Sequence, residues 1–459
     1  MKKYIMTSII AIYSAIIISV YIFYLNPVWG YQGFPEFDWN HSGNTLILSL
    51  IFVMIFPLIY PIEVKRYSNF IVWFIYLYIY TTSIIIVSMQ GIPDDGGLYL
   101  VIYLSASFYM MAYIPEVLSS AINVKNMQTT IITKNILQII NRNKRIIFYI
   151  TTIFIILLIT IFISNRDILS IRGFYSVYEQ RAVASDNITN STYMAYLIEW
   201  TTRVFSTFFI TIYLFDKKKI FLFLGVAGFT LYYSIVASKY VVFLFFLMLS
   251  IRYFVIRNGR IDIIRFALLM IFAISVPFAI TIYNGNQNPH SIDIIISQIL
   301  KRAFGINGLT IGIYFDYFMR GGFQPFTYYS HLGPVRWFID YPFGHYSIGQ
   351  IVGHFKAGKY EYNASAGFWA TDGIAALGYT GILIIGLING IIFFIFDIFT
   401  KRTYLPFLCL SSVISMWMIA DTSIFRALMT GGWPIHIILV NMYYSYKYVP
   451  WQNAQEVTG

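Results

Sequence analysis

Residues 165–190 and 284–370 carry cations in largely apolar surroundings: Arg166, Arg172 and Arg181 in the first stretch, and Lys301, Arg302, Arg320, Arg336, Lys356 and Lys359 in the second. Lys239 and Arg426 stand alone between apolar runs. Guanidinium and ammonium groups meet phosphate oxygens through charge-assisted hydrogen bonds, so the set points to an anionic ligand, most simply a phosphate or pyrophosphate. Ordinary loop salt bridges explain any single member equally well. They explain the set less well.

The second stretch is also crowded with rings and histidines: Phe323, Phe326, Tyr328, Tyr329, His331, Trp337, Tyr341, Phe343, His345, Tyr346 and His354. Aromatic side chains are common where a protein meets lipid headgroups. Mixed with Asn, Asp and His they also suit carbohydrate, whose C–H faces pack on rings while its hydroxyls need polar partners. The histidines lack the i, i+4 pairing of a helical metal site, so no metal is expected. Phosphate-loop, zinc and nucleophile-elbow motifs are absent, which excludes an ATP-driven pump. Glu199 and Arg203 lie four apart and share a helix face. Their plainest role is a neutralised pair bracing a bundle, with a cavity wall as the functional alternative.

The elements that must position these residues are membrane helices. Hydrophobic residues make up 58% of the 459, charged residues only 11%, and mean hydropathy is +0.68. Soluble domains average about 45–50% apolar. The apolar residues come in blocks of the length a helix needs to cross a bilayer, not in the short alternating strands of a barrel. The expected fold is an all-α polytopic membrane protein, with 1–459 a single domain of about twelve helices. They fall near 4–25, 45–62, 69–90, 97–114, 146–164, 191–215, 220–237, 240–256, 266–283, 371–396, 404–420 and 433–449. The first, following Met1-Lys2-Lys3, reads as a retained helix because no small-x-small cleavage site follows it. Cys409 is the single cysteine, which leaves no disulfide within the chain.

Most of the +11 net charge lies in short connections on one side: Lys2, Lys3, Lys65, Arg66, Lys125, Lys134, Arg142, Lys144, Arg145, Lys217, Lys218, Lys219, Arg257, Arg260, Arg265, Lys401, Arg402 and Lys447. The positive-inside rule makes that side cytoplasmic, with both termini on it, and gives the charge no nucleic-acid role. Connections 26–44 and 91–96 have no Lys or Arg and lie opposite. Residues 165–190 and the large loop 284–370, before the last three helices, lie there too. Ile131, Ile132, Ile136 and Ile139 suggest an amphipathic cytoplasmic segment in 115–145. Ile292, Ile295, Ile296, Ile299 and Leu300 suggest another at the opposite interface. The apolar stretch 303–319 either dips into the membrane or packs on the bundle.

Asn363-Ala364-Ser365-Ala366-Gly367-Phe368-Trp369-Ala370-Thr371-Asp372-Gly373, running into Leu377-Gly378-Tyr379-Thr380-Gly381, resembles bacterial O-antigen and capsule repeat-unit polymerases of the Wzy type. Arg172 to Arg181 is similar to a Tyr-Glu-x-Arg patch in that family's first periplasmic region, and Lys301-Arg302 and Ser238-Lys239 fit its plan. The resemblance implies a metal- and cofactor-independent glycosyltransferase of the inner membrane, working on the periplasmic face. Its donor and acceptor would both be undecaprenyl-pyrophosphate-linked oligosaccharides. A chain-length regulator and the flippase of the same pathway would be its partners. Arg172, Arg181, Lys239, Arg302 and Arg336 would hold the pyrophosphate, with Arg302 stabilising the charge of the leaving group. His331, Asp372 and Glu179 would be candidate bases, and Asn363, Trp337, Tyr346 and His345 would contact sugar. Three readings compete: a flippase for the same lipid-linked sugar, an O-antigen ligase, and a transporter or lipid-binding protein with no chemistry.

Overall fold

The computed structural model describes residues 1–92, 96–122, 146–170, 192–236, 240–283, 300–320, 338, 340–360, 362–401 and 403–443. Among them the regular secondary structure is helical apart from one short hairpin, Ile256–Arg257 paired antiparallel with Arg260–Ile261. Asn258 and Gly259 turn it, both at positive φ, as an Asn-Gly hairpin turn requires. Among the described residues, eight helices are long and apolar enough to cross a membrane: Lys2–Gln32, Trp39–Ile59, Tyr67–Met89, Gly96–Ala121, Ile146–Ser164, Lys219–Val236, Ile263–Tyr283 and Trp369–Thr400. Each coincides with an expected span, and the protein is a multi-pass helical membrane protein.

Of the other expected spans, 191–215 is helical throughout 192–216, with a π-turn at Thr201–Ser206. The span 240–256 is helical over 240–255, ending in a π-turn at Ile251–Val255. The 404–420 span is broken into Leu405–Ser411 and Val413–Met418 at Ser412. The hydroxyls of Ser411 and Ser412 both bond back to the Leu408 carbonyl there, competing with the backbone ladder. The last span, 433–449, is helical over 433–443.

The chain divides into two compact units. The first comprises Met1–Leu118, Asp262–Phe394 and Met418–Ile424. Its centre is the Tyr67–Met89 helix, buried along its whole length. Phe56 lies 4.8 Å from Tyr60, 4.6 Å from Tyr76 and 4.8 Å from Phe108, and Tyr80 stacks on Phe108 at 4.2 Å. Buried tyrosines need partners for their hydroxyls, and Tyr76 donates to the Val53 carbonyl while Tyr80 donates to the Ser105 hydroxyl. One end of this unit is tied by an Arg66–Glu116 ion pair, with Asn69 donating to Glu116 and to Tyr60.

The second unit comprises Ser119–Ile261, Ile395–Trp417 and Phe425–Gly459. Its 192–216 helix packs closely on Lys219–Val236. A Cβ at Gly225 would lie 2.9 Å from the Ser206 carbonyl, and one at Gly228 would overlap the Ser206 hydroxyl. Small residues allow this approach, as is usual where membrane helices meet. Arg203 Nε lies 2.5 Å from Glu199, and Tyr232 on the neighbouring helix donates to the same carboxylate. The bracing role expected of the pair matches this geometry.

Candidate functional site

The first unit brings two cations, Lys301 and Lys356, to one turn, with Arg302 next in sequence to the first. The first helix runs through a π-turn at Tyr21–Leu25 and a 3-10 turn at Gly30–Gln32, and ends at Gly33. Gly33 has φ +106°, and an added Cβ would stand 2.9 Å from Lys356 Cε. Only glycine fits both the backbone and the space. Asn26 donates to the Phe34 carbonyl, and the Trp29 indole N–H meets the Tyr24 hydroxyl, so the turn is held from inside. The Lys301 ammonium lies 3.9 Å from the Trp29 ring centroid and donates to Gln32 Oε1. Burial, and secondly the adjacent Arg302, lower the Lys301 pKa to about 8.

Lys301 and Arg302 lie in the π-turn Leu300–Gly305, which opens the Ile306–Arg320 helix. That helix packs on Thr81–Met89. Gly308 comes so close that a Cβ would lie 2.6 Å from Ile86 Cβ, and Gly312 stands over the Gln90 amide. Gln90 in turn donates to the Gly308 carbonyl. Of the two fates expected for 303–319, packing on the bundle is the one observed. The helix thereby fixes the height of Lys301 and Arg302 against the Trp29–Gly33 turn.

Lys356 comes from Ile348–Ala357, a helix capped at both ends by its sequence. Ser347 and Gln350 form a capping box, and Gly358 closes it in the left-handed conformation. Gly349 and Gly353 leave a groove on this helix for 362–364, where the Ala364 N–H donates to the Gly349 carbonyl and Tyr314 donates to the Ala364 carbonyl. Asn363 is thus carried at the surface, against Gly349. Burial raises the Tyr362 pKa, and the Arg302 charge opposes that rise. Beyond Tyr362 the rings stack: His354 on Tyr360 at 4.0 Å, Tyr360 on Tyr346 at 4.2 Å, and Tyr346 on His345 at 4.1 Å.

Of the residues singled out from sequence, Arg302 is exposed next to Lys301, Asn363 is exposed after Tyr362, and Tyr346 and His345 lie in the ring stack. Tyr346 is half-buried between its ring neighbours, which leaves His345 as the exposed end of the stack. Asp372, a candidate base, is enclosed by packing. Its side chain is fully buried in the π-turn Trp369–Ile374, and Oδ2 accepts the Ile424 N–H at 2.7 Å. A base must reach a proton on the substrate, whereas this carboxylate holds the start of the Ile424–Met429 helix. Arg172, Glu179, Arg181, Lys239, His331, Arg336 and Trp337 lie outside the described residues, as do residues 123–145 of the first amphipathic segment and Ile292, Ile295, Ile296 and Ile299 of the second. Among the described residues no group of His, Cys, Asp or Glu is placed to hold a metal.

Trp29, Gln32 and Tyr362 are the site residues that sequence reading missed, whereas Lys356 was already among the cations singled out. The signals were the two Gly-x-x-x-Gly pairs, 308/312 and 349/353, which mark where helix and segment close in. Comparison with protein-family models, curated proteins and solved structures finds no match to this chain.

Proposed function

We propose that the chain is an O-antigen or capsular polysaccharide polymerase joining undecaprenyl-pyrophosphate-linked repeat units on the periplasmic face of the inner membrane. Twelve spans, cytoplasmic termini and a periplasmic loop 284–370 complete the reading. The observation that carries it is the meeting of Lys301 and Lys356 on one turn, with the exposed Arg302 next to Lys301 and acting on Tyr362, on a segment that also carries a ring stack and an exposed Asn363. Such a surface suits a diphosphate next to a sugar.

In the transfer, an acceptor hydroxyl oxygen attacks the anomeric carbon of the donor chain. The bond from that carbon to the diphosphate oxygen breaks, and the oxygen leaves with the electron pair. The acceptor proton passes to a base, for which His331 and Glu179 remain the candidates. Arg302 stabilises the charge on the leaving group, an effect commonly about 10²–10³ in rate per donor removed. The lipopolysaccharide ladder of a deletion strain tests the function. Polymerase loss leaves single repeats on the core, ligase loss leaves unattached polymer, and flippase loss blocks export of repeats. Complementation with Arg302→Ala should restore membrane protein without polymer, and a normal ladder in that strain refutes the role given to Arg302.

A further inference from the structure

The transfer adds one negative charge to the diphosphate. In the donor its terminal oxygen is esterified to sugar; after transfer that oxygen carries the electron pair of the broken bond. A site that favours the transition state needs a cation engaged more strongly with the product than with the donor.

Lys301 has the geometry for that task. An ammonium has three donors, and Gln32 takes one while the Trp29 face accepts the cation without consuming an N–H in a strong bond. Both partners are uncharged, so neither competes electrostatically with an incoming anion. Lys301 is half-buried, where solvent screening is weaker, and the neighbouring Arg302 faces the surface. Lys356 stands against the same turn through Gly33. The turn thus supports Lys301 through Gln32 and Lys356 through Gly33, with no carboxylate in either contact.

Resting on the polymerase reading, we propose that Lys301 is a further substrate-contacting residue, held ready by Trp29 and Gln32. With Lys356, it grips the terminal phosphate of the leaving prenyl diphosphate and makes the site prefer that product over the glycosylated donor. The Trp29–Gly33 turn is then part of the catalytic site rather than a plain connection between helices.

The test uses the full chain in phosphatidylcholine nanodiscs, with farnesyl diphosphate and its glucosyl diester as probes. Wild-type protein should bind the free diphosphate more tightly than the diester. Lys301→Gln should weaken binding of the free diphosphate about tenfold, the scale of one charge-assisted contact, while changing the diester much less. Lys301→Arg should keep the preference and serves where Lys301→Gln fails to accumulate. Equal affinities for the two probes in wild-type protein, or an unchanged preference in Lys301→Gln, would falsify the assignment. Nanodiscs containing phosphatidylglycerol form a further arm, in which Lys301-dependent displacement of the diphosphate would identify a lipid headgroup as occupant and overturn the proposal. A ladder unaffected by gene deletion removes the polymerase reading even with Lys301-dependent binding intact. Loss of the ladder with Lys301-independent binding removes only this inference.

Discussion

At the scale of single residues, the proposed anion contact through Lys301 would depend on pH. The Lys301 pKa of about 8 lies below the usual lysine range because burial disfavours the ammonium and Arg302 repels it. Below about pH 8 the side chain is charged, and it becomes neutral as pH rises through that value. Farnesyl diphosphate binding should therefore weaken across this window in wild-type protein and weaken less in Lys301→Arg. The stability of the unliganded protein should move the other way, rising between about pH 8 and the ordinary lysine pKa as the cost of the buried charge is relieved. Among the described residues, Arg302, Lys356, Tyr24, Tyr31 and Tyr362 are charged or titratable neighbours on the adjoining turns. Tyr362 is pushed upward by burial and so titrates above this window. Binding that is flat from neutral to alkaline pH would remove Lys301 from the contact.

At the scale of elements, helix ends and close approaches do most of the positioning. Asp372 accepts from the first N–H of Ile424–Met429, where the backbone has no partner of its own. Asp372→Asn keeps an acceptor and should leave the saccharide ladder intact. Asp372→Ala should lower thermal stability by about 1–3 kcal/mol, the cost of a buried donor left unpaired. A silent ladder in a stably folded Asp372→Asn variant would return this carboxylate to the chemistry. Gly308 is a sharper steric case, because Ile86 and the Ser83 carbonyl occupy the space a side chain would need. Gly308→Leu should lift the Ile306–Arg320 helix from its seat, destabilise the protein by about 1–3 kcal/mol and weaken anion binding by moving Lys301 and Arg302 with it. Trimming Ile86 to Ala in the same chain should recover part of both losses, measured by thermal unfolding and diphosphate titration.

At the scale of the whole molecule, the orientation drawn from Lys and Arg counts is open to direct labelling. Cys409 is fully buried, which gives a quiet background for introduced cysteines. Asn363→Cys should react with a membrane-impermeant maleimide on intact spheroplasts, whereas Asn258→Cys, at the tip of the hairpin, should react only after permeabilisation. The reverse pattern would invert the topology and with it the periplasmic site.

Much of the architecture was legible in the chain because the bilayer imposes a length and a composition on each crossing helix. Apolar blocks therefore located all eight long spans, and the i, i+4 spacing of Glu199 and Arg203 correctly paired them. Capping chemistry at Ser347, Gln350 and Gly358 and the Asn258-Gly259 turn were equally local, hence readable in principle. The site was less legible because its members come from distant parts of the sequence. Arg302 stood out as a cation in apolar surroundings, yet nothing local joins Trp29 and Gln32 to Lys301, or Gly33 to Lys356. Asp372 likewise looked available for chemistry until packing enclosed it and supplied the Ile424 N–H. Hydrophobic length and charge sign are properties of a segment and are fixed by sequence, whereas burial and partnership belong to the packed whole.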